Sequence, residues 1–318
     1  MLMPRLLVWM ISIAGLICGA DVMSAQSYPA KPLRLVTGAP GGGGDFVARL
    51  TAQGLSDPLG QPVIVDNRAN IPAEIVSQAS PDGYTLLVDS SSFLIGPLLQ
   101  KMPYDAVKDF SPISWLAMSL NILVVHPSVT ANSVKELIAL AKARPGQLNY
   151  GSGGAGSSTH LAAELFKSMA GIDIVRIPYK GAGPAMSALI GGEVQMVLGS
   201  AGSVTPHMKS GKLKALAVTS AQPSALFPGL PTMAATGVPG YESVAIHGIF
   251  APVKTPAPIV GLLNQEVVRV INTADVKEKF FRAGLETVGS SPQQFAAAIK
   301  SDLARLGKVI KDAGIKAD

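Results

Sequence analysis

Two glycine-rich stretches of this 318-residue chain hold the residue types from which an anion site can be built without a basic side chain. In the first, Gly41-Gly42-Gly43-Gly44-Asp45 follows the apolar run Leu33 to Val36. It leads into Phe46, Val47, Leu50 and Leu55, which recur at helical spacing. In the second, Gly151-Ser152-Gly153-Gly154-Ala155-Gly156-Ser157-Ser158 follows Leu148 to Tyr150 and leads into a helical pattern from Thr159 to Ala170, stopped by Gly171. The first turn of a helix leaves four N–H groups unpaired and carries about half a positive charge. Glycine lets a ligand approach that backbone closely. One such stretch reads equally well as a tight turn. Two of them, each opening a helix at the end of a strand, point to a ligand with an anionic group.

Other chemistry has less support. Gly151, Gly153 and Gly156 match the dinucleotide fingerprint, but that motif needs an acidic residue at the end of the following strand to hold a ribose. Here Asp173 stands at the start of that strand and Arg176 to Pro178 at its end. An oxidoreductase using NADP through Arg176 is the enzyme alternative. No Gly-Lys-Ser/Thr closes either loop. Ser157, Ser158 and His160 contain a nucleophile and a base, yet the Gly-x-Ser-x-Gly elbow is missing. Lys180, in Pro178-Tyr179-Lys180-Gly181, has the type of a Schiff-base lysine but reads better as a loop lysine or a contact between lobes. The four histidines, His126, His160, His207 and His247, lack metal-ligand spacing. The expectation is a binding protein with no catalytic residue, metal or cofactor.

The elements that must position these loops alternate between short β-prone runs and helical patterns, which predicts α/β layers with largely parallel sheets. Leu33 to Val36, Val63 to Val65 and Tyr84 to Val88 read as strands. Ser133-Val134-Lys135-Glu136 and Ser291-Pro292-Gln293-Gln294 read as capping boxes. The length suits about two domains, and each has a glycine loop at the carboxyl end of a strand, where ligands of open α/β sheets sit. The chain is expected to cross between lobes in Ile113 to Val125 and to return through Val244 to Phe250, both followed by proline, at Pro127 and Pro252. That places one lobe at 28–120 and 247–318 and the other at 121–246, with Pro223 to Pro239 a surface loop.

Ahead of these lies a leader: Arg5, the apolar run Leu6 to Ile17, then the small residues Ala20, Ala25 and Ser27. The run is short of the roughly 20 residues of a spanning helix. Residues 1–25 are therefore expected to be a signal peptide, with the mature, soluble chain starting between Asp21 and Tyr28. Cys18 is the only cysteine, which leaves the mature chain without a disulfide, and the bulky Ile17 disfavours a lipid anchor there. The net charge of +5 is scattered singly, and aromatics are only 5%, so no stacking surface for nucleic acid is expected.

Several short motifs are familiar together. Tyr28-Pro29-Ala30-Lys31-Pro32-Leu33-Arg34, the Gly41 to Asp45 loop, Asp66-Asn67-Arg68, Pro81-Asp82-Gly83-Tyr84-Thr85-Leu86, Pro103-Tyr104-Asp105, Leu148-Asn149-Tyr150-Gly151-Ser152, Pro178-Tyr179-Lys180-Gly181 and Gly211-Lys212-Leu213 resemble, in order and across the mature chain, the receptor component of tripartite tricarboxylate transporters, the Bug family. The resemblance implies a periplasmic binding protein of type II, with two α/β lobes, a central cleft and two hinge crossings. It implies a small carboxylate ligand held by backbone amides and waters, and delivery to integral-membrane transporter subunits by a monomeric receptor in the periplasm. Carried over by position, one cradle is Gly42, Gly43, Gly44 and Asp45, and the other is Gly153, Ser157, Ser158, Thr159 and His160. Ser90, Ser91 and Ser200, after strands ending at Val88 and Leu198, are further cleft residues. Thr37-Gly38-Ala39-Pro40 lacks the family's aromatic, and Ala69-Asn70-Ile71-Pro72-Ala73-Glu74 replaces an expected glycine-rich turn, which implies a cleft of different shape. A sensing module docked to a signalling receptor would use the same pocket.

Overall fold

Apolar, β-branched runs in this chain end repeatedly at glycine or serine, and at most of those ends a helix begins. A computed structural model describes residues 28–41, 43–68 and 71–316; Gly42 and the expected signal peptide lie outside them. The first stretch runs β1 (Leu33–Thr37), α1 (Gly43–Leu59), β2 (Val63–Asn67), α2 (Pro72–Ser77), β3 (Thr85–Ser90) and α3 (Ser91–Leu99), then the long β4 (Phe110–Val125). The second runs α4 (Val134–Ala143), β5 (Asn149–Ser152), α5 (Ser158–Ala170), β6 (Val175–Pro178), α6 (Ala182–Ile190), β7 (Met196–Ser200), α7 (Ala201–Lys209) and β8 (Lys214–Val218). The chain returns through β9 (Val244–Pro252) to α8 (Ala257–Ile271), α9 (Ala274–Arg282), β10 (Glu286–Thr287) and α10 (Pro292–Asp312).

The strands follow the order β2-β1-β3-β9-β4-β7-β5-β6, with β8 and β10 also pairing with β4. Strand β4 changes partners along its length. Phe110 to Leu120 pair with β9, and Asn121 to Val125 pair with β7 and β8. The return crossing falls at the same level: Ser243 donates its amide to Thr219 of the second sheet, and Val244 pairs with Leu120 of the first. Two sheets therefore share their middle strand, and the chain passes between them at 120/121 and 243/244.

Each sheet is buried on both faces because its strands carry apolar residues at successive positions. In β1 and β3, Leu35, Leu86 and Val88 pack with Val47 and Leu55 of α1 and Leu263 of α8. Val36 and Leu87 turn to the other face and pack with Phe93 of α3 and Phe295 of α10. That second face holds a group of aromatic rings, Phe93 against Phe250 at 4.8 Å and Phe250 against Phe295 at 5.0 Å. Gly248 makes room for it, since a Cβ there would stand 2.2 Å from Phe295 Cζ. The second sheet is covered by α4 and α5 on one side, through Leu137, Leu165 and Phe166, and by α6 and α7 on the other, through Met186, Leu189 and Val204.

Four features differ from the sequence reading. The sheets are mixed and not largely parallel: β9 runs antiparallel to β3 and β4, and β7, β8 and β10 run antiparallel to β4, because β4 and β9 carry the chain across between the two sheets. At α4, Ser133 Oγ accepts the Glu136 amide at 3.2 Å, but the Glu136 carboxylate takes the amide of Asn132 instead of that of Ser133, so the box is only half formed. At α10 both halves of the Ser291 box are present. The 223–239 loop is more than a surface loop: Met233 and Val238, with Tyr241 just beyond, are buried in the second sheet's core, and the Tyr241 hydroxyl donates to the Ala162 carbonyl at 2.8 Å. Finally, α10 touches both sheets. Phe295 and Ile299 pack on the first, while Leu306 and Ile310 meet Leu161 of α5 and Ile95 of α3.

Candidate functional site

The site residues gather where the strands change partners. Ser90, the last residue of β3, pairs with His247 of β9, and His247 in turn pairs with Ala117 of β4. Four residues further along β4, roughly 13 Å at strand rise, Asn121 pairs with Ser200, the last residue of β7. The side-chain amide of Asn121 donates to the Ser158 carbonyl at 3.4 Å, at the start of α5. One short length of β4 thus links the N-termini of α1 and α3 on one side with those of α5 and α7 on the other. Ser90, Ser157 and Ser200 are the N-cap residues of α3, α5 and α7.

At α1 the helix opens at Gly43, and the amides of Gly43, Gly44 and Asp45 have no acceptor among the described residues. The glycines are there for close approach. A Cβ at Gly43 would stand 3.1 Å from the His247 ring, and one at Gly44 3.1 Å from Thr37 Oγ1. Both neighbours are buried, and neither Thr37 Oγ1 nor His247 Nδ1 has a hydrogen-bond partner among the described residues. Burial holds the His247 imidazole down at about 4, so at neutral pH it is uncharged, with one ring nitrogen a donor and the other an acceptor. A buried polar atom without a partner costs about 1–3 kcal/mol, and two of them lie beneath this one helix N-terminus.

The side chain of Asp45 is occupied elsewhere. Its carboxylate accepts the Gly41 amide at 2.9 Å and the Asn67 side-chain amide at 2.9 Å, and pairs with Arg49 at 2.9 Å. Burial pushes its carboxyl up, but these bonds to Arg49, Gly41 and Asn67 outweigh that and hold it below the usual carboxylate range. Asp45 fixes the shape of the glycine loop and offers a ligand only its amide. Ser91 is likewise turned inward, its hydroxyl accepting the Ile246 amide at 2.7 Å.

The second loop is held by its own side chains. Thr159 Oγ1 accepts the Gly153 amide at 3.0 Å, Ser157 Oγ accepts the His160 amide at 3.3 Å, and His160 Nδ1 accepts the Gly156 amide at 3.2 Å. From β6, Arg176 donates to Ser152 Oγ at 2.8 Å and to the Gly153 carbonyl at 2.9 Å. The guanidinium that the NADP reading would place on a phosphate is engaged in holding this turn. Thr159 and His160 are buried, and the amides of Ser158 and Thr159 have no acceptor among the described residues. They are the donors this cradle presents. Lys180 is exposed after β6, and among the described residues no cluster of His, Cys, Asp or Glu could hold a metal ion.

Four residues of the arrangement have roles that the sequence did not give them. Asn121 looks like an ordinary strand residue until its partner is seen, and Arg176 was weighed only as a ligand for a nicotinamide-cofactor phosphate. Thr37 ends an apolar strand, and His247 interrupts the apolar run from Val244 to Pro252. A polar residue in a strand buried on both faces was the available signal.

Two α/β lobes joined by two strand crossings, with helix N-termini gathered at the crossings, define a two-lobed solute-binding protein of type II. The chain belongs to the tripartite tricarboxylate transporter receptor family: the family model, described as Tripartite tricarboxylate transporter family receptor, matches residues 47–315. The chain is 37% identical to Protein BugT of Bordetella pertussis over 305 residues, 93% of this chain and 94% of that one. Among solved structures it is similar to a Rhodopseudomonas palustris protein with adipate (36% identity, 91% of this chain and 99% of the other, TM-score 0.72). It is also similar to MatC from Rhodopseudomonas palustris with bound malate (28%, 89% and 100%, TM-score 0.69). A TctC solute binding protein from Polaromonas, without ligand, superposes with a TM-score of 0.82 at 28% identity, over 90% of this chain and 99% of that one. No helix among the described residues is long and apolar enough to cross a membrane.

Proposed function

We propose that this chain is an exported, monomeric receptor that captures a small solute by its carboxylate and presents it to the membrane subunits of a tripartite tricarboxylate-type transporter. In this reading residues 28–120 and 244–318 form one lobe and 121–243 the other, the return boundary lying three residues earlier than the 246/247 expected from the sequence because Val244 to Ile246 pair with β4 in the first sheet, and the ligand lies between them. The observation that carries it is the pair of unpartnered buried atoms, Thr37 Oγ1 and His247 Nδ1, beneath the open amides of α1. A carboxylate seated there takes N–H bonds from Gly43, Gly44 and Asp45 and meets both side chains. The amides of Ser158 and Thr159, with Ser200 at the start of α7, serve the ligand's other end or its ordered waters, and Ser90 stands on the α1 side beside His247.

Adipate and malate on two relatives support a carboxylate as the class of ligand. At the same 28% identity, the better superposition on the ligand-free relative than on the malate complex supports an open form that closes on binding. Calorimetric titration with mono-, di-, tri- and aromatic carboxylates tests the proposal. One or a few should bind and raise the melting temperature, by the equivalent of about 2.7 kcal/mol at a hundred times Kd. Silence across the panel would refute it.

A further inference from the structure

Behind the α1 cradle, on the opposite face of the same sheet, lies a second polar opening. Successive strand residues point to opposite faces, so Val88 and Ser90 share the α1 side with His247, while Asp89 between them faces α2 and α3. Asp89 lines a cavity of about 490 Å³ together with Gly38, Glu74, Ser92, Gln100 and Tyr104. One carboxylate oxygen accepts the Ser90 amide at 2.7 Å, and the other has no hydrogen-bond partner among the described residues. No lysine or arginine lines the cavity, and Arg68 at the end of β2 is paired with Asp66. The titratable groups that share the cavity are Glu74 from α2 and Tyr104 from the loop after α3; the flanking strands bring only Gly38 and Gly248. Burial pushes the Asp89 carboxyl up to about 6, which leaves it mainly ionised at neutral pH without a counter-charge.

The cavity adjoins the cradle. Gly38 follows Thr37 directly, and a Cβ built on Gly38 meets nothing within 4 Å, so the space over it is open. Ser92, from the cavity, shares a 2.8 Å hydroxyl bond with Ser90, from the cradle side. Gly38 is the open boundary between the α1 cradle and the Asp89 cavity, so a group next to the ligand's α1-bound carboxylate can face Asp89 while the far end of the ligand faces α5.

We infer that the ligand of this receptor carries a cationic nitrogen as well as a carboxylate, and that Asp89 receives that nitrogen. The inference rests on the carboxylate-receptor reading above. An ammonium group supplies the charge that Asp89 lacks, whereas a plain dicarboxylate brings a second anion toward it. Charge complementarity of this kind sets which partner is rejected as much as which is accepted.

The test is calorimetric titration of the ligand-free chain with matched pairs differing only by an amino group: succinate and aspartate, glutarate and glutamate, adipate and 2-aminoadipate. The amino member of at least one pair should bind about tenfold tighter or more, the range of a hydrogen bond between charged groups. Asp89→Asn should erase that preference, the amino member losing affinity and the amine-free partner gaining it as the repelling charge goes. The wild-type chain supplies a second readout free of mutation. Lowering the pH from about 7.5 to about 6 protonates about half of Asp89 while the ligands' own carboxyls stay mostly ionised, and should shrink the preference. A chain that binds the amine-free member as well as or better than its partner in every pair overturns this inference alone, as does a preference indifferent to both Asp89→Asn and pH. If no member of any pair binds, the carboxylate reading fails and this inference with it.

Discussion

At His247 a buried ring nitrogen has no partner among the described residues, directly beneath the open end of α1. Such an atom weakens the fold and, in the proposed receptor, serves a ligand, so its removal should separate the two effects. His247→Leu should make the ligand-free protein about 1 kcal/mol more stable, because an apolar side chain replaces an unpaired polar one. The same change should weaken the bound carboxylate about tenfold or more. Melting temperature and Kd measured together check this, and a less stable variant with unchanged affinity would contradict it. Asp45 shows the reverse case. As a residue type beside a glycine loop it was visible in the sequence. That its carboxylate is consumed by Gly41, Asn67 and Arg49 depends on partners up to 22 positions away, which no local pattern reveals.

Among the elements, the strand-to-helix turns were legible because their causes are local. Glycine, serine and apolar spacing place the starts of α1 and α5 within a residue or two, and the Ser157 and Ser291 caps form as their residue types require. The path of α10 was not legible. Its apolar stripe specifies a buried face but not which lobe buries it, and in the fold one half packs on Phe250 and the other on Leu161. Arg305 ties this helix to the return crossing, pairing with Asp302 at 2.5 Å and with Glu242 at 3.2 Å. Burial pushes the Asp302 carboxyl up despite the guanidinium, so its charge leans on Arg305. Arg305→Ala should cost about 2–3 kcal/mol in urea unfolding, since it strands a buried acid. Arg269→Ala, which breaks an exposed pair on α8, should cost under about 0.5 kcal/mol. Equal losses would contradict that account of α10.

Across the whole molecule, two cradles on opposite sides of β4 can share a ligand only if the lobes approach each other. Leu99 of α3 already lies against Gly156, where a Cβ would come within 2.3 Å of it, so the lobes meet at one rim of the cleft. Small-angle scattering should show a smaller radius of gyration once a bound carboxylate is added, as hinge closure requires; an unchanged radius would remove closure from the mechanism. In the proposed receptor, amides at a helix N-terminus, and not a basic side chain, hold the ligand. Ser157→Asp places a carboxylate on the open amides of Ser158 and Thr159, and as an N-cap it should leave α5 as stable as before or up to about 1 kcal/mol more so. Paired titrations of Ser157→Asp and of Lys180→Ala, each with an intact circular dichroism spectrum, decide the matter. Ser157→Asp should abolish carboxylate binding while Lys180→Ala barely changes it; retained binding by Ser157→Asp with loss in Lys180→Ala would rule out the amide cradle.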